Sequence, residues 1–186
     1  MERSPGAGVH AMLIAMAGLP GTGKSTIAQR LARDLPGVIL DKDIIRAAIF
    51  GSEVEYSTHQ DDFCMRIMLQ AAEYILGKDP GKHVILNGRT FSHGYQIAEC
   101  RRFAGELGVS FRIIECVCAD ETARQRLERD AIEGRHLAAN RSTDLYLSIK
   151  AHFEPIEEPK LMVDTDNDLE QCMSRCLDYV RVWDDG

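Results

Sequence analysis

Aromatic residues make up only 6% of this 186-residue chain, with a single tryptophan. No apolar run approaches the roughly 20 residues needed to cross a bilayer, and the opening MERSPGAGVHA lacks the hydrophobic stretch of a signal peptide. A cytoplasmic protein is therefore expected. Positive charge is also short: 22 Lys and Arg stand against 29 Asp and Glu, a formal charge of −7. That balance argues against wholesale attraction to nucleic acid or anionic membrane, and the basic and aromatic interleaving that suits single strands is missing. The six cysteines include no Cys-x-x-Cys pair of zinc-ribbon spacing, so reduced, buried cysteines are expected. His59, His83, His93, His136 and His152 have no consistent spacing, and none sits beside a Ser or Cys in an arrangement that would suggest a nucleophilic triad. Internal repeats and low-complexity tracts are absent as well.

What is present is an ordinary globular composition, 45% hydrophobic and 27% charged, at a length suited to one well-buried core. Residues 1–11, rich in Gly, Ser and Pro, read as a flexible leader, and residues 12–186 as a single domain. Short apolar runs at Met12–Ala17, Val38–Leu40, His83–Leu86, Phe111–Val117 and Leu161–Val163 read as strands. Between them lie segments of helical period: Ser25–Asp34, Ile44–Phe50, Thr58–Leu76, Tyr95–Leu107, Glu121–Ile132 and Leu145–Phe153, with one more at the end. Alternation of this kind predicts an α/β fold, a parallel sheet covered by helices on both faces. Met65, Met68, Leu69, Ala72, Ile75 and Leu76 form one apolar stripe, read as sheet-facing core in preference to a ligand groove.

The strongest motif is Gly18-Leu-Pro-Gly-Thr-Gly23-Lys24-Ser25-Thr26, a full match to G-x-x-x-x-G-K-[ST] between an apolar strand and an amphipathic helix. Gly18, Gly21, Thr22 and Gly23 let backbone N–H groups wrap a β-phosphate, while the helix aims its positive end at the same anion. Lys24 adds a charge for the outer phosphates, Ser25 offers a hydroxyl to Mg²⁺, and Thr26 starts the helix. A nucleoside triphosphate is implied; the reaction is not.

The second strand ends in Asp41-Lys42-Asp43-Ile44-Ile45-Arg46. Strand carboxyl ends share one sheet edge, so both aspartates should reach the rim that carries the phosphate loop. If the chain stays extended, residues two apart face the same side, with one acid for the metal's water shell and one for an acceptor hydroxyl. Arg46, one turn into the next helix, could clamp the acceptor. Helix capping is the competing reading, but it explains one aspartate and not both together with Arg46.

The phosphate loop, this D-x-D-x-x-R run, Val84-Ile-Leu-Asn-Gly-Arg-Thr-Phe91 and Phe153-Glu-Pro155 before Leu161-Met-Val-Asp-Thr165 resemble the small P-loop kinases related to polynucleotide 5′-kinase, zeta toxin and chloramphenicol phosphotransferase. The resemblance spans roughly residues 12–180. It implies a three-layer fold with strand order 2-3-1-4-5, Asp43 as general base, and Asp41 at the magnesium water shell. Relatives carry an acid at the end of the third strand where this chain has Asn87. Either Asp41 then serves the metal alone, or Asn87 reads the acceptor. Arg89 is similarly placed to meet the acceptor, a surface arginine being the alternative.

Residues 130–143 are polar and dense in positive charge, and read as a lid. Phosphoryl transfer depends on positioning and charge stabilisation, so cations brought in by lid closure suit it. Arg126 and Arg129 share a helix face, and Gly134-Arg135 resembles the lid arginine of shikimate-type and adenylate-type kinases. The expectation is an ATP- and Mg²⁺-dependent kinase acting on a small-molecule hydroxyl. Its rivals are a polynucleotide 5′-hydroxyl kinase and a non-transferring P-loop ATPase or switch.

Overall fold

The computed structural model describes residues 10–134 and 142–182. The expected leader lies almost wholly outside these residues, as does the centre of the expected lid with Arg135. Five strands, β1 (Met12–Ala17), β2 (Gly37–Asp41), β3 (His83–Asn87), β4 (Ser110–Val117) and β5 (Leu161–Asp164), form one sheet. Its order is β2-β3-β1-β4-β5 and every neighbouring pair is parallel. The helices are α1 (Lys24–Asp34), α2 (Lys42–Phe50), α3 (Thr58–Lys78), α4 (Gly94–Leu107), α5 (Asp120–Glu133), α6 (Thr143–Ala151) and α7 (Leu169–Arg181). A single 3-10 turn, Gly51–Glu53, links α2 to α3. Each expected strand and helix is present, with no end moved by more than two residues.

The layering follows from the period-two geometry of β1, whose residues are all buried. Leu13, Ala15 and Ala17 pack with Met65, Met68, Leu69 and Ala72 of α3 and with Ile97, Cys100 and Ala104 of α4. Met12, Ile14 and Met16 point the other way, against Ile27, Ala28 and Leu31 of α1 and Cys172, Met173 and Cys176 of α7. A central parallel strand needs apolar cover on both faces, which is why β1 reads as an unbroken apolar run. All six cysteines are unbridged and five are buried. Burial pushes the Cys100, Cys116 and Cys176 thiols up to about 12, so they behave as small hydrophobes.

A third, smaller cluster joins α5 to α6 through Ala123, Leu127 and Tyr146. The Tyr146 hydroxyl donates to Asp120 Oδ1 at 2.7 Å, and Lys150 also binds that carboxylate. The two helices that bracket the expected lid are thereby held together at their far ends. Among the described residues no helix is long and apolar enough to cross a membrane.

The methionine stripe of α3 is core: Met68 is fully buried. Met68→Ala should lower stability by about 2 to 5 kcal/mol in urea unfolding, and Met68→Leu by less than about 1.5 kcal/mol. Equal, negligible losses in both variants would mean that this face is not packed.

Candidate active site

All five strands end on one edge, and there the loop after β1 turns back into α1. Gly18 has φ +125° and Gly21 φ +79°, where side chains are strained. A Cβ on Gly18 would lie 2.2 Å from the Cys116 carbonyl oxygen, and one on Gly21 2.7 Å from that of Ala123. The loop is thus pressed against β4 and α5 by close approach that only glycine permits. Helix α1 has no side-chain cap and no acid in its first turn, unlike α2, α3, α6 and α7, which Asp41, Ser57, Ser142 and Asp168 cap. Its first N–H groups remain available to an anion. The buried Lys24 Nζ donates to the Gly18 and Leu19 carbonyls at 2.8 and 2.7 Å, and Thr22 Oγ1 donates to Leu19 O at 2.8 Å. This cradle fits a polyphosphate.

A cavity of about 850 Å³ opens over the loop, within the range of small-molecule sites. Gly21, Gly23, Lys24, Ser25, Thr26, Arg126 and Arg129 line one part, and Lys42, Asp43, Arg46, Asp61 and Arg89 another. Gly18, Thr22, Asp41 and Asn87 stand behind the wall.

Asp41 is the last residue of β2, in register with Asn87 of β3. The chain does not continue extended beyond it. Helix α2 begins at Lys42, and Asp41 Oδ1 accepts from the N–H groups of Asp43 and Ile44 at 2.9 and 3.2 Å. The two aspartates therefore diverge in role: Asp41 caps the helix, and Asp43 reaches the cavity from its first turn. Asn87 Nδ2 donates to Asp41 Oδ2 at 2.6 Å and to Ser25 Oγ at 3.1 Å. An aspartate at 87 would oppose one carboxylate to another; the amide instead links Asp41 to the serine. A serine hydroxyl backed by one carboxylate suits magnesium, which takes few protein oxygens and completes its shell with phosphate and water. Asn87 Oδ1 is buried without a hydrogen-bond partner.

At the other end, Asp43 Oδ1 accepts from Arg46 at 2.9 Å and lies 3.7 Å from Lys42 Nζ. Arg46 also pairs with Asp61, and Lys42 Nζ bonds Asp61 Oδ2 at 2.7 Å. Arg89 is 3% exposed and pairs with Asp62 at 2.5 Å, so it is not a surface arginine. The Arg46 guanidinium lies 5.1 Å from the ring centroid of Tyr56, which has φ +54°, an uncommon conformation for a side chain of that size. Buried Gln60 fixes the approach to Tyr56, donating to Glu53 O and accepting from Glu55 N.

Arg126 does not wait in a lid. From α5 it donates to the Gly21 carbonyl at 3.3 Å and to Thr165 Oγ1 and O, each at 2.9 Å, and Thr165 Oγ1 donates onward to Thr22 O. It clamps the phosphate loop to the turn after β5. Arg129, on the same helix face, lines the cavity and is exposed.

A family model described as an AAA domain matches residues 13–156, most of the chain. The chain belongs to the AAA domain family. Among solved structures this AAA domain resembles a candidate kinase from Chloroflexus aurantiacus, at 22% identity and TM-score 0.72 over 91% of this chain and 98% of that one. It also resembles a gluconokinase from Sinorhizobium meliloti, at 11% identity and TM-score 0.67 over 93% of each chain. The APS kinase of Mycobacterium tuberculosis, solved with AMPPNP and APS, matches at 16% identity and TM-score 0.65 over 93% and 99%. At such identities the likeness is one of fold, the P-loop kinase fold with strand order 2-3-1-4-5. No curated protein matches the sequence at a significant level.

Sequence reasoning had not singled out Lys42, Asp61 or Asp62 as site residues of this AAA domain. Lys42 sat between two motif acids, and Asp61 falls in the first turn of α3, where acids are common, with Asp62 next to it. The only available signal was that two adjacent acids and an amphipathic helix followed the motif strand. Burial holds the Lys42 ammonium down at about 8, with Asp43 opposing the shift. Because this folded-state value lies below the ordinary 10.5, the unfolded chain binds more protons between those limits. Stability contributed by this group therefore rises with pH across that window. Relative to Lys42→Met, the wild type should gain up to about 1.4 kcal/mol per pH unit between pH 8 and 10.5 in urea unfolding. A difference independent of pH would show that Lys42 is not desolvated.

Proposed function

We propose that the protein is an ATP-dependent kinase that transfers the γ-phosphoryl group to a hydroxyl of a small-molecule acceptor. The observation that carries this reading is that Asp43 lines the same cavity as Lys24 and Ser25 while being held by two buried cations. Bound ATP supplies the phosphoryl group; Ser25, with Asp41 behind it, would hold Mg²⁺, which would supply charge neutralisation to the phosphate oxygens. The N–H groups of the loop through Gly21, Thr22, Gly23, Lys24, Ser25 and Thr26 hold the phosphates. Lys24 Nζ exchanges the Gly18 and Leu19 carbonyls for phosphate oxygens.

Asp43 accepts the proton of the attacking hydroxyl. Its Oδ1 is engaged by Arg46, which holds the carboxylate in place, and Oδ2 has no hydrogen-bond partner among the described residues. Arg46 and Arg89 orient the acceptor. Arg126 preserves the shape of the phosphate loop, and Arg129, with Arg135 from the lid, offsets charge on the phosphates.

Asp43→Asn should lower kcat for acceptor-stimulated ADP release by at least about 100-fold while changing ATP affinity little. Lys24→Ala should abolish turnover through the loss of phosphate binding. Undiminished transfer by Asp43→Asn would remove the general base, and nucleotide hydrolysis indifferent to any hydroxyl compound would favour an ATPase or switch.

A further inference from the structure

The wall facing the acceptor is built from ion pairs. Lys42, Arg46 and Arg89 are 6%, 3% and 3% exposed, and Asp43, Asp61 and Asp62 answer them. Three cations against three carboxylates leave a formal charge of zero at this end. Of the surrounding groups, Thr58, Thr90, Ser92 and Gln96 are uncharged hydrogen-bonding side chains, and His93 already meets the Glu154 carboxylate.

We propose that the acceptor is an uncharged polyhydroxyl compound, a sugar or polyol, recognised by the balanced pairs Lys42–Asp61 and Arg46–Asp43 and by Arg89, whose charge Asp62 answers from outside the cavity. This inference rests on the kinase reading and narrows its substrate class. An anionic acceptor needs a cation with charge to spare, and here each buried cation already has a carboxylate of this chain. Displacing one would strand a charge in a site where desolvation is costly. A hydroxyl can donate to a carboxylate and accept from a guanidinium at once, so it enters such a pair without altering the charge sum.

Aromatic acceptors are disfavoured by the same wall. Tyr56 is its one aromatic ring from the α2–α3 side, and the Arg46 guanidinium occupies a face of it. A nucleobase or aryl compound stacking on that face would have to displace the guanidinium. The cavity of about 850 Å³ serves nucleotide and acceptor together, which leaves space for a small partner.

Asp62 provides the test because it touches Arg89 and Tyr95 and is not part of the transfer machinery. The full-length protein with saturating MgATP would be assayed for acceptor-stimulated ADP release with hexoses and alditols, the matching aldonic acids, sugar phosphates and nucleosides. Uncharged sugars or polyols should stimulate release, with kcat/KM at least about tenfold above their acidic counterparts. Asp62→Asn leaves Arg89 with positive charge to spare, and should shift the acid-to-neutral preference towards the acid by about tenfold. Asp62→Asn combined with Arg89→Gln restores the balance and should return the preference to neutral compounds. Selective stimulation by acids, phosphates or nucleosides would overturn this inference while leaving the kinase reading intact. An unchanged preference in Asp62→Asn would likewise overturn it. Bound ATP with no stimulation by any class would instead fell the kinase reading, and this inference with it.

Discussion

Between the end of β1 and the start of α1 the backbone reverses through left-handed positions while touching the Cys116 and Ala123 carbonyls. A Cβ at Gly18 or Gly21 would collide with main chain that β4 and α5 hold fixed. The tight turn leaves the first N–H groups of α1 uncapped and pointing at the cavity, and binding of a polyphosphate follows from that arrangement. Arg126 and Thr165 then fasten the outside of the loop to the segment after β5, so that the cradle is braced from the core and from the sheet's far edge.

The end of the cavity lined by α2 and α3 is organised by a different force. In-register pairing of β2 with β3 sets Asp41 beside Asn87, and capping by Asp41 starts α2 one residue later. That early start turns Asp43 and Arg46 into one helical face, i and i+3, opposite the first turn of α3 with its Asp61. Buried ion pairs contribute little net stability, since desolvation offsets most of their attraction, but they hold charged groups in one geometry. On the kinase reading proposed above, catalysis that is mostly positioning gains from that trade. A second tie links the two walls. Glu154, after α6, accepts from Gly94 N at 2.7 Å and meets His93 at 3.0 Å, and these bonds hold its carboxyl below the usual range.

Much of the fold was legible because its signals were local. The unbroken apolar run of β1, the period-two strands and the i, i+3, i+4 stripe of α3 each encode burial directly, and their elements appear where the pattern puts them. The phosphate loop was legible for the same reason, as one contiguous string of residues. The run after β2 was read less well: two residues of spacing suggested a shared strand face, but capping competes with extension at an Asp-x-Asp, and the helix won. Arg126 carried a charge whose partner could not be read, because Thr165 lies 39 positions away and is brought near only by the β4–β5 pairing. Lys42, Asp61 and Asp62 were hidden similarly, since an ion pair between helices leaves no periodic trace in the chain.

Transfer to an alcohol is the central claim, and the fate of the phosphorus tests it most directly. Phosphorus NMR of the protein turning over MgATP with its stimulating acceptor would follow every phosphate species at once. The account predicts a phosphate monoester signal growing in step with ADP, with little inorganic phosphate. Stoichiometric inorganic phosphate and no ester would contradict it, and would make the protein a hydrolase built on a kinase scaffold.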